Sequence, residues 1–164
     1  MFYDDGLVFS CNRCSDCCRL SPGMVYLSYS DLARLCERFG VSEGRFVETY
    51  CRWVQYYDNT QVLCLKERKN YDCILWNKDC GCSAYDSRPV QCSTYPFWSW
   101  MLESRADWDS CAADCPGINA AGGRVWTKEE IEAQRAAYDA IEPIHRNEYM
   151  ERLASKKAES GNKS

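Results

Sequence analysis

Histidine is nearly missing from this chain. His145 is the single one in 164 residues, and it stands in a polar, helix-patterned stretch far from other candidate ligands. That scarcity removes the usual general base, leaves no Ser-His-Asp set, and argues against mixed cysteine–histidine metal sites. His145 itself reads as a solvated surface imidazole. Long apolar runs are missing too. None approaches the roughly 18 residues that a membrane-spanning helix needs. The longest aromatic stretch, Tyr95 to Leu102, reads as core. Nor is there a strong charge of one sign. A formal net charge of −4 argues against a general polyanion binder and so against nucleic acid as a partner. No internal repeat and no phosphate-binding loop are visible, and no pair of carboxylates stands out for acid–base work.

Cysteine, by contrast, is abundant. There are thirteen cysteines, close to the roughly 8–10% that marks disulfide scaffolds. Three features favour metal ligation instead. The opening Met1-Phe2-Tyr3-Asp4-Asp5 is acidic and lacks the basic-then-apolar pattern of a secretory signal. The cysteine number is odd. The chain also exceeds the size at which small secreted domains need staples. A reducing, cytoplasmic setting is therefore the expectation.

The richest stretch is Cys11-Asn12-Arg13-Cys14-Ser15-Asp16-Cys17-Cys18. A two-residue spacer lets two sulfurs turn toward one point, which is half of a tetrahedral thiolate site. The adjacent pair is different, because neighbouring side chains diverge in extended chain and by about 100° in a helix. On that ground Cys17 and Cys18 are expected either to feed two separate centres, with this run as their shared wall, or to divide into a ligand and a packing thiol.

Around this run the pattern predicts a small α+β domain, mostly helices with short strands or a hairpin. Residues 1–141 are read as the cysteine-cluster domain and 142–164 as a helical extension with a frayed tail from Ala154. Leu7–Phe9 suggests a brief strand, Leu20–Gly23 a turn and Met24–Leu27 another strand. Ser28 and Asp31 stand in capping-box spacing before Leu32, Leu35, Cys36 and Phe39. Gly40 reads as the stop of that helix. A second helix is expected after Ser42, with Phe46, Val47, Tyr50, Cys51 and Val54 on one face. Cys36 and Cys51 fall on these apolar stripes and read as core thiols. Gln61–Lys66 and Tyr71–Trp76 suggest strands, and Cys80-Gly81-Cys82 a hairpin that holds Cys73 near Cys82. Gly81 would remove a side chain where backbone crowds a metal. Residues 103–114 read only as polar. Thr127 to Glu130 is a capping box opening a last helix to about residue 140, interrupted at Pro143.

Taken together, Cys11, Cys14, Cys17, Cys18, Cys73-Ile74-Leu75-Trp76, Cys82 to Pro89 with Cys92, Tyr95-Pro96-Phe97, Cys115-Pro116-Gly117-Ile118 and Gly122-Gly123 resemble the CxxCxxCC (YkgJ-like) family of zinc- or iron-chelating cysteine-cluster proteins. The combination is specific where a lone C-x2-C would not be. The resemblance implies eight metal ligands: Cys11, Cys14, Cys17, Cys18, Cys73, Cys82, Cys92 and Cys115. Eight thiolates suffice for two four-thiolate centres. Cys36, Cys51, Cys64, Cys80 and Cys111 lie beyond the motif, although Cys80 is close enough to Cys82 to exchange with it.

The implied cofactor is zinc or an iron–sulfur cluster, which sulfur ligation alone does not separate. Arg13, Arg19 and Arg88 adjoin ligands and could offset thiolate charge, with Arg88 favoured by its place between two of them. Three roles follow. One is a metal-binding cysteine-cluster protein whose partners are metal ions. The second is an iron–sulfur-dependent modifying enzyme, similar to flagellin lysine N-methylases. The third is a zinc-organised module that presents an aromatic surface to a protein partner.

Overall fold

The computed structural model describes residues 1–19 and 21–161. Leu20, at the head of the expected turn, and residues 162–164, at the end of the expected tail, lie outside them.

Both capping boxes form. Ser28 and Asp31 bond reciprocally at the start of α1 (Tyr29–Phe39), and Gly40 closes it at φ 63°. Thr127 and Glu130 do the same for α5 (Lys128–Asp139). Between them run α2 (Glu43–Tyr50), α3 (Val90–Ser93) and α4 (Arg105–Cys111), and α6 (Arg146–Gly161) follows. The strands make three two-stranded antiparallel pairs among the described residues. These are β1 (Leu7–Val8) with β6 (Val125–Trp126), β2 (Cys51–Gln55) with β3 (Gln61–Leu65), and β4 (Trp76–Asn77) with β5 (Gly81–Cys82). The architecture is α+β.

Several expectations shift. The second helix ends at Tyr50, because Cys51 to Gln55 pairs residue by residue with Gln61 to Leu65 and Val54 joins a strand. A Trp-Val run gains more on a pleated surface than as another helical turn. The Met24–Leu27 strand reduces to one bridge, Tyr26 to Cys64, and the Tyr71–Trp76 strand to one bridge, Glu67 to Cys73, before the two-residue β4. Helix α4 lies within residues that read only as polar; Ser104 caps it by accepting from the Asp107 amide. The last helix runs past Ala154 to Gly161. His145 is half-buried, with Thr60 Oγ1 2.9 Å from its Nδ1, rather than a free surface imidazole.

Two hydrophobic clusters form. The first gathers Leu32 and Leu35 of α1, Phe46 of α2, Leu63 and Leu65 of β3, and Ile144 and Tyr149 from the C-terminal segment. That segment is tied in by backbone bonds from the Leu63 amide to Ile144 and from the Ile144 amide to Leu27. The second cluster gathers Tyr3, Leu7, Phe9, Phe97, Trp108 and Ile131. Each fully buried aliphatic or phenyl side chain contributes about 1.5–3 kcal/mol of transfer free energy. The cysteine-rich loops lie along the seam between the clusters.

Candidate metal centre

The first cysteine run is irregular from Cys11 to Ser15 and ends in a 3₁₀ turn over Asp16–Cys18. Arg13 and Ser15 hold left-handed φ angles of 57° and 69°, which tightens the chain between thiols. Both ends of the run are pinned. Upstream, the Ser10 amide donates to Gly117 O at 3.1 Å, and Ser10 Oγ accepts from the Arg124 amide at 2.8 Å. Downstream, the Cys73 amide donates to Cys18 O at 2.8 Å. The Cys115-Pro116-Gly117 turn is therefore packed against the start of the run, and Cys73 against its end.

Cys82 arrives on β5, directly opposite Trp76. Gly81 before it has φ 75°, and an added Cβ would sit 3.4 Å from Ser15 Oγ. Left-handed backbone is thus the first reason for this glycine, with closeness to the run second. Cys92 rides on α3, which is locked to α1. Buried Asp31 accepts from the Val90 amide at 3.0 Å and from Arg34 at 2.6 Å. Gln91, also buried, accepts from the Tyr26 amide and donates to Met24 O. A four-residue helix would not hold a position alone, and these bonds supply what its length lacks.

These elements enclose two adjoining cavities. The larger, about 440 Å³, is lined by Cys11, Cys17, Cys18, Cys73, Cys82 and Cys92, with Leu65 and Leu75 from one core and Phe9 and Trp126 beside the other. The smaller, about 70 Å³, is lined by Cys11, Cys14, Cys17, Cys18, Cys80, Cys82 and Cys115. All eight thiols implied by the family resemblance line one or both. Cys36, Cys51, Cys64 and Cys111 line neither. Cys51, Cys64 and Cys111 are buried elsewhere and Cys36 packs on the first core. Cys80 is the addition. Its place one residue before β5 was the available signal, since the hairpin carries it to the cavity together with Cys82.

The expectation that Cys17 and Cys18 point apart is corrected. Their sulfurs lie 3.9 Å from each other, and both line both cavities. The 3₁₀ turn curls the pair to one side, which neither extended chain nor regular helix would do. Two sulfurs bound tetrahedrally to one zinc at about 2.3 Å would stand about 3.8 Å apart, so the pair can serve one ion or join two. Among the described residues, no three Cys, His, Asp or Glu side chains converge tightly enough to hold an ion as they stand. The thiols surround the cavities without meeting at a point.

The electrostatics suit protonated thiols waiting for a cation. Burial pushes Cys92 well above its ordinary value and Cys73 up to about 11, and it raises Cys82 and Cys115 as well. Cys17 is the exception, lowered to about 7 chiefly by the hydrogen bond from Cys18, with Arg88 helping; Cys18 is raised in return. Arg13 and Arg88 stack on Tyr85, at 3.9 and 4.0 Å from the ring centroid. Arg88 donates to Tyr85 O, and among the described residues neither guanidinium meets a carboxylate. Arg19 does, pairing with Asp72 at 3.1 Å. Two uncompensated cations therefore stand beside the thiols. Sulfur dominates the possible donors, with Asp114 the one carboxylate lining either cavity among the described residues, and such a set fits a soft or borderline cation such as zinc or iron. His145 lines neither cavity.

No helix of the described residues is long and apolar enough to cross a membrane. No solved structure matches the chain. Residues 10–116 match the model of a family described as CxxCxxCC, "putative zinc- or iron-chelating domain". That span covers more than half of the chain and contains every thiol of the two cavities. The protein belongs to the CxxCxxCC family.

Proposed function

We propose that the two cavities are all-thiolate metal centres, loaded with zinc or iron, and that Cys17 and Cys18 form the wall between them. One observation carries this reading: the two cavities collect nine of thirteen cysteines and exclude the four that pack as apolar side chains. Cys73, Cys82 and Cys92 would supply the larger centre, and Cys11, Cys14 and Cys115 the smaller, each completed from the adjacent pair. A bound cation would stabilise thiolates that burial otherwise keeps protonated. Arg13 and Arg88 would offset the excess negative charge of four thiolates on a divalent ion and donate hydrogen bonds toward sulfur. Closing the centres calls on the irregular run from Cys11 to Ser15, so metal binding and local ordering are one event. Reduced thiols of this kind belong in a reducing, cytoplasmic setting.

A second reading is favoured by the size of the larger cavity. About 440 Å³ falls in the roughly 300–1,000 Å³ range of small-molecule sites, whereas a closed structural zinc site needs no free volume beside it. With apolar walls opposite the thiols, the space suits an iron–sulfur cluster with room for an organic substrate, as a modifying enzyme requires. Metal analysis and visible absorption of anaerobically purified protein separate the readings. Colour bleached by dithionite supports the cluster, and colourless protein with stoichiometric zinc supports the structural or carrier role. Protein free of both metals defeats the proposal in either form.

A further inference from the structure

A third cavity lies apart from the thiols and shares no lining residue with either of theirs. Four tyrosines line it: Tyr26, Tyr56 and Tyr57 from the β2–β3 side, and Tyr138 from α5. Their rings stand at angles to one another, as walls do. Tyr26 and Tyr56 meet edge to face at 5.4 Å between centroids, and Tyr56 and Tyr57 at 4.9 Å with planes 55° apart. Tyr138 is backed by Trp98, stacked at 5.1 Å. The one ionised lining side chain is Asp139, a carboxylate that also accepts from Ser99 Oγ and faces Arg135 at 3.7 Å.

Several other rings are covered by the chain's own cations: Arg13 and Arg88 lie over Tyr85, Arg19 over Trp76, Arg124 over Trp126, and Arg152 over Tyr29 and Tyr149. Among the described residues, none stands over Tyr26, Tyr56, Tyr57 or Tyr138. Tyr57 is also 90% exposed, a large ring at a hairpin tip with little packing to account for it. The backbone that carries it is held: the hairpin closes through the Tyr56 amide to Thr60 O at 2.8 Å and through Asp58 accepting from the Thr60 amide.

We infer that this cavity binds a compact alkylated ammonium headgroup. Ring faces are electronegative, and several rings around one space attract a cation that sheds water easily. The Asp139 carboxylate at the rim adds to that attraction, with part of its charge offset by Arg135 at 3.7 Å. The volume, about 200 Å³, lies below the roughly 300–1,000 Å³ of drug-sized sites and so selects a headgroup over an extended molecule. The inference does not depend on which metal the thiols hold.

The test is calorimetric titration of the full chain, as purified with its metal, using tetramethylammonium, choline and 3,3-dimethylbutan-1-ol, the uncharged isostere of choline. Both cations should bind, and the neutral isostere should bind at least about fivefold more weakly, the effect of losing a cation–π interaction of this class. Tyr57→Leu keeps an apolar side chain but removes the ring, and at so exposed a position it leaves the fold and metal content intact. It should weaken choline binding roughly two- to fivefold, and Tyr57→Trp should restore or exceed the original affinity. Absence of binding by both cations overturns the inference. So does equal binding of choline and its neutral isostere, or unchanged affinity in Tyr57→Leu.

Discussion

Replacing Gly117 by alanine should disrupt the smaller centre through packing alone, without touching a thiol. An added Cβ there would overlap the Ser10 carbonyl oxygen, with Ser10 C and Phe9 Cε2 at 3.1 Å. The obstacle is mostly backbone, which has no rotamer to escape into, so the two segments must part. Overpacking of this kind costs about 1–3 kcal/mol. Parting also breaks the bond from the Ser10 amide to Gly117 O, worth about 0.5–1.5 kcal/mol net. Together these give about 1.5–4.5 kcal/mol, or a fall in Tm of roughly 3–18 °C for a chain of this size. Because Ser10 precedes Cys11 and Gly117 follows Cys115, the same parting moves those thiols away from each other, and metal content should drop. The matched control is Gly44→Ala, in α2 with nothing within 4 Å of the added carbon. It should be neutral or stabilising by up to about 1 kcal/mol, since alanine is the better helix former. Thermal unfolding and metal content of both variants decide the matter. If Gly117→Ala matches the parent in Tm and metal loading, the close approach does not hold the site together.

Other expectations concern the thiols and their supports. Cys92→Ser and Cys14→Ser should each lose metal and several kcal/mol of stability, because binding energy in a thiolate domain is folding energy. Cys36→Ala should keep full metal content. Timed alkylation of chelator-treated protein should label Cys17 earliest, since it is exposed and lowered to about 7, with exposed Cys11, Cys14 and Cys80 also ahead of the buried thiols. Cys51, pushed up to about 12 by burial, should react only on unfolding, and early labelling of Cys51 would show the core to be wrongly placed. Asp31→Ala should cost about 2–4 kcal/mol, the range for losing several bonds to a buried charged acceptor. It should also lower metal content, because α3 and Cys92 are anchored on that carboxylate; a stable variant with full metal would refute the anchoring.

Local signals in the sequence were reliable where short-range chemistry decides the outcome. Both capping boxes and the glycine stop at Gly40 are built from residues a few positions apart, and the structure contains all of them. Cys36 was legible as a packing thiol from its place on an apolar stripe, whereas the cavity thiols were implied only by the family resemblance, and Cys51 packs from a strand rather than from the helix face expected of it. What escaped depends on partners distant in sequence. Cys51 to Gln55 is a strand only because residues 61–65 lie beside it. Helix α4 is fixed by Trp108 and Cys111 entering the second core, which its polar composition conceals. The orientation of Cys17 against Cys18 turned on a 3₁₀ turn whose preceding residue, Ser15, has a left-handed φ, and neither period of regular structure anticipates that. The tyrosine cavity brings together residues from four parts of the chain, so no window of sequence contains it.

X-ray absorption at the zinc and iron edges of anaerobically purified protein tests the central claim most directly. Sulfur-only coordination near 2.3 Å, with bound metal reduced in Cys92→Ser, which disables the larger centre, and unchanged in Cys36→Ala, is the predicted result. A first shell containing nitrogen or oxygen donors in the parent protein, or no bound zinc or iron at all, would contradict it.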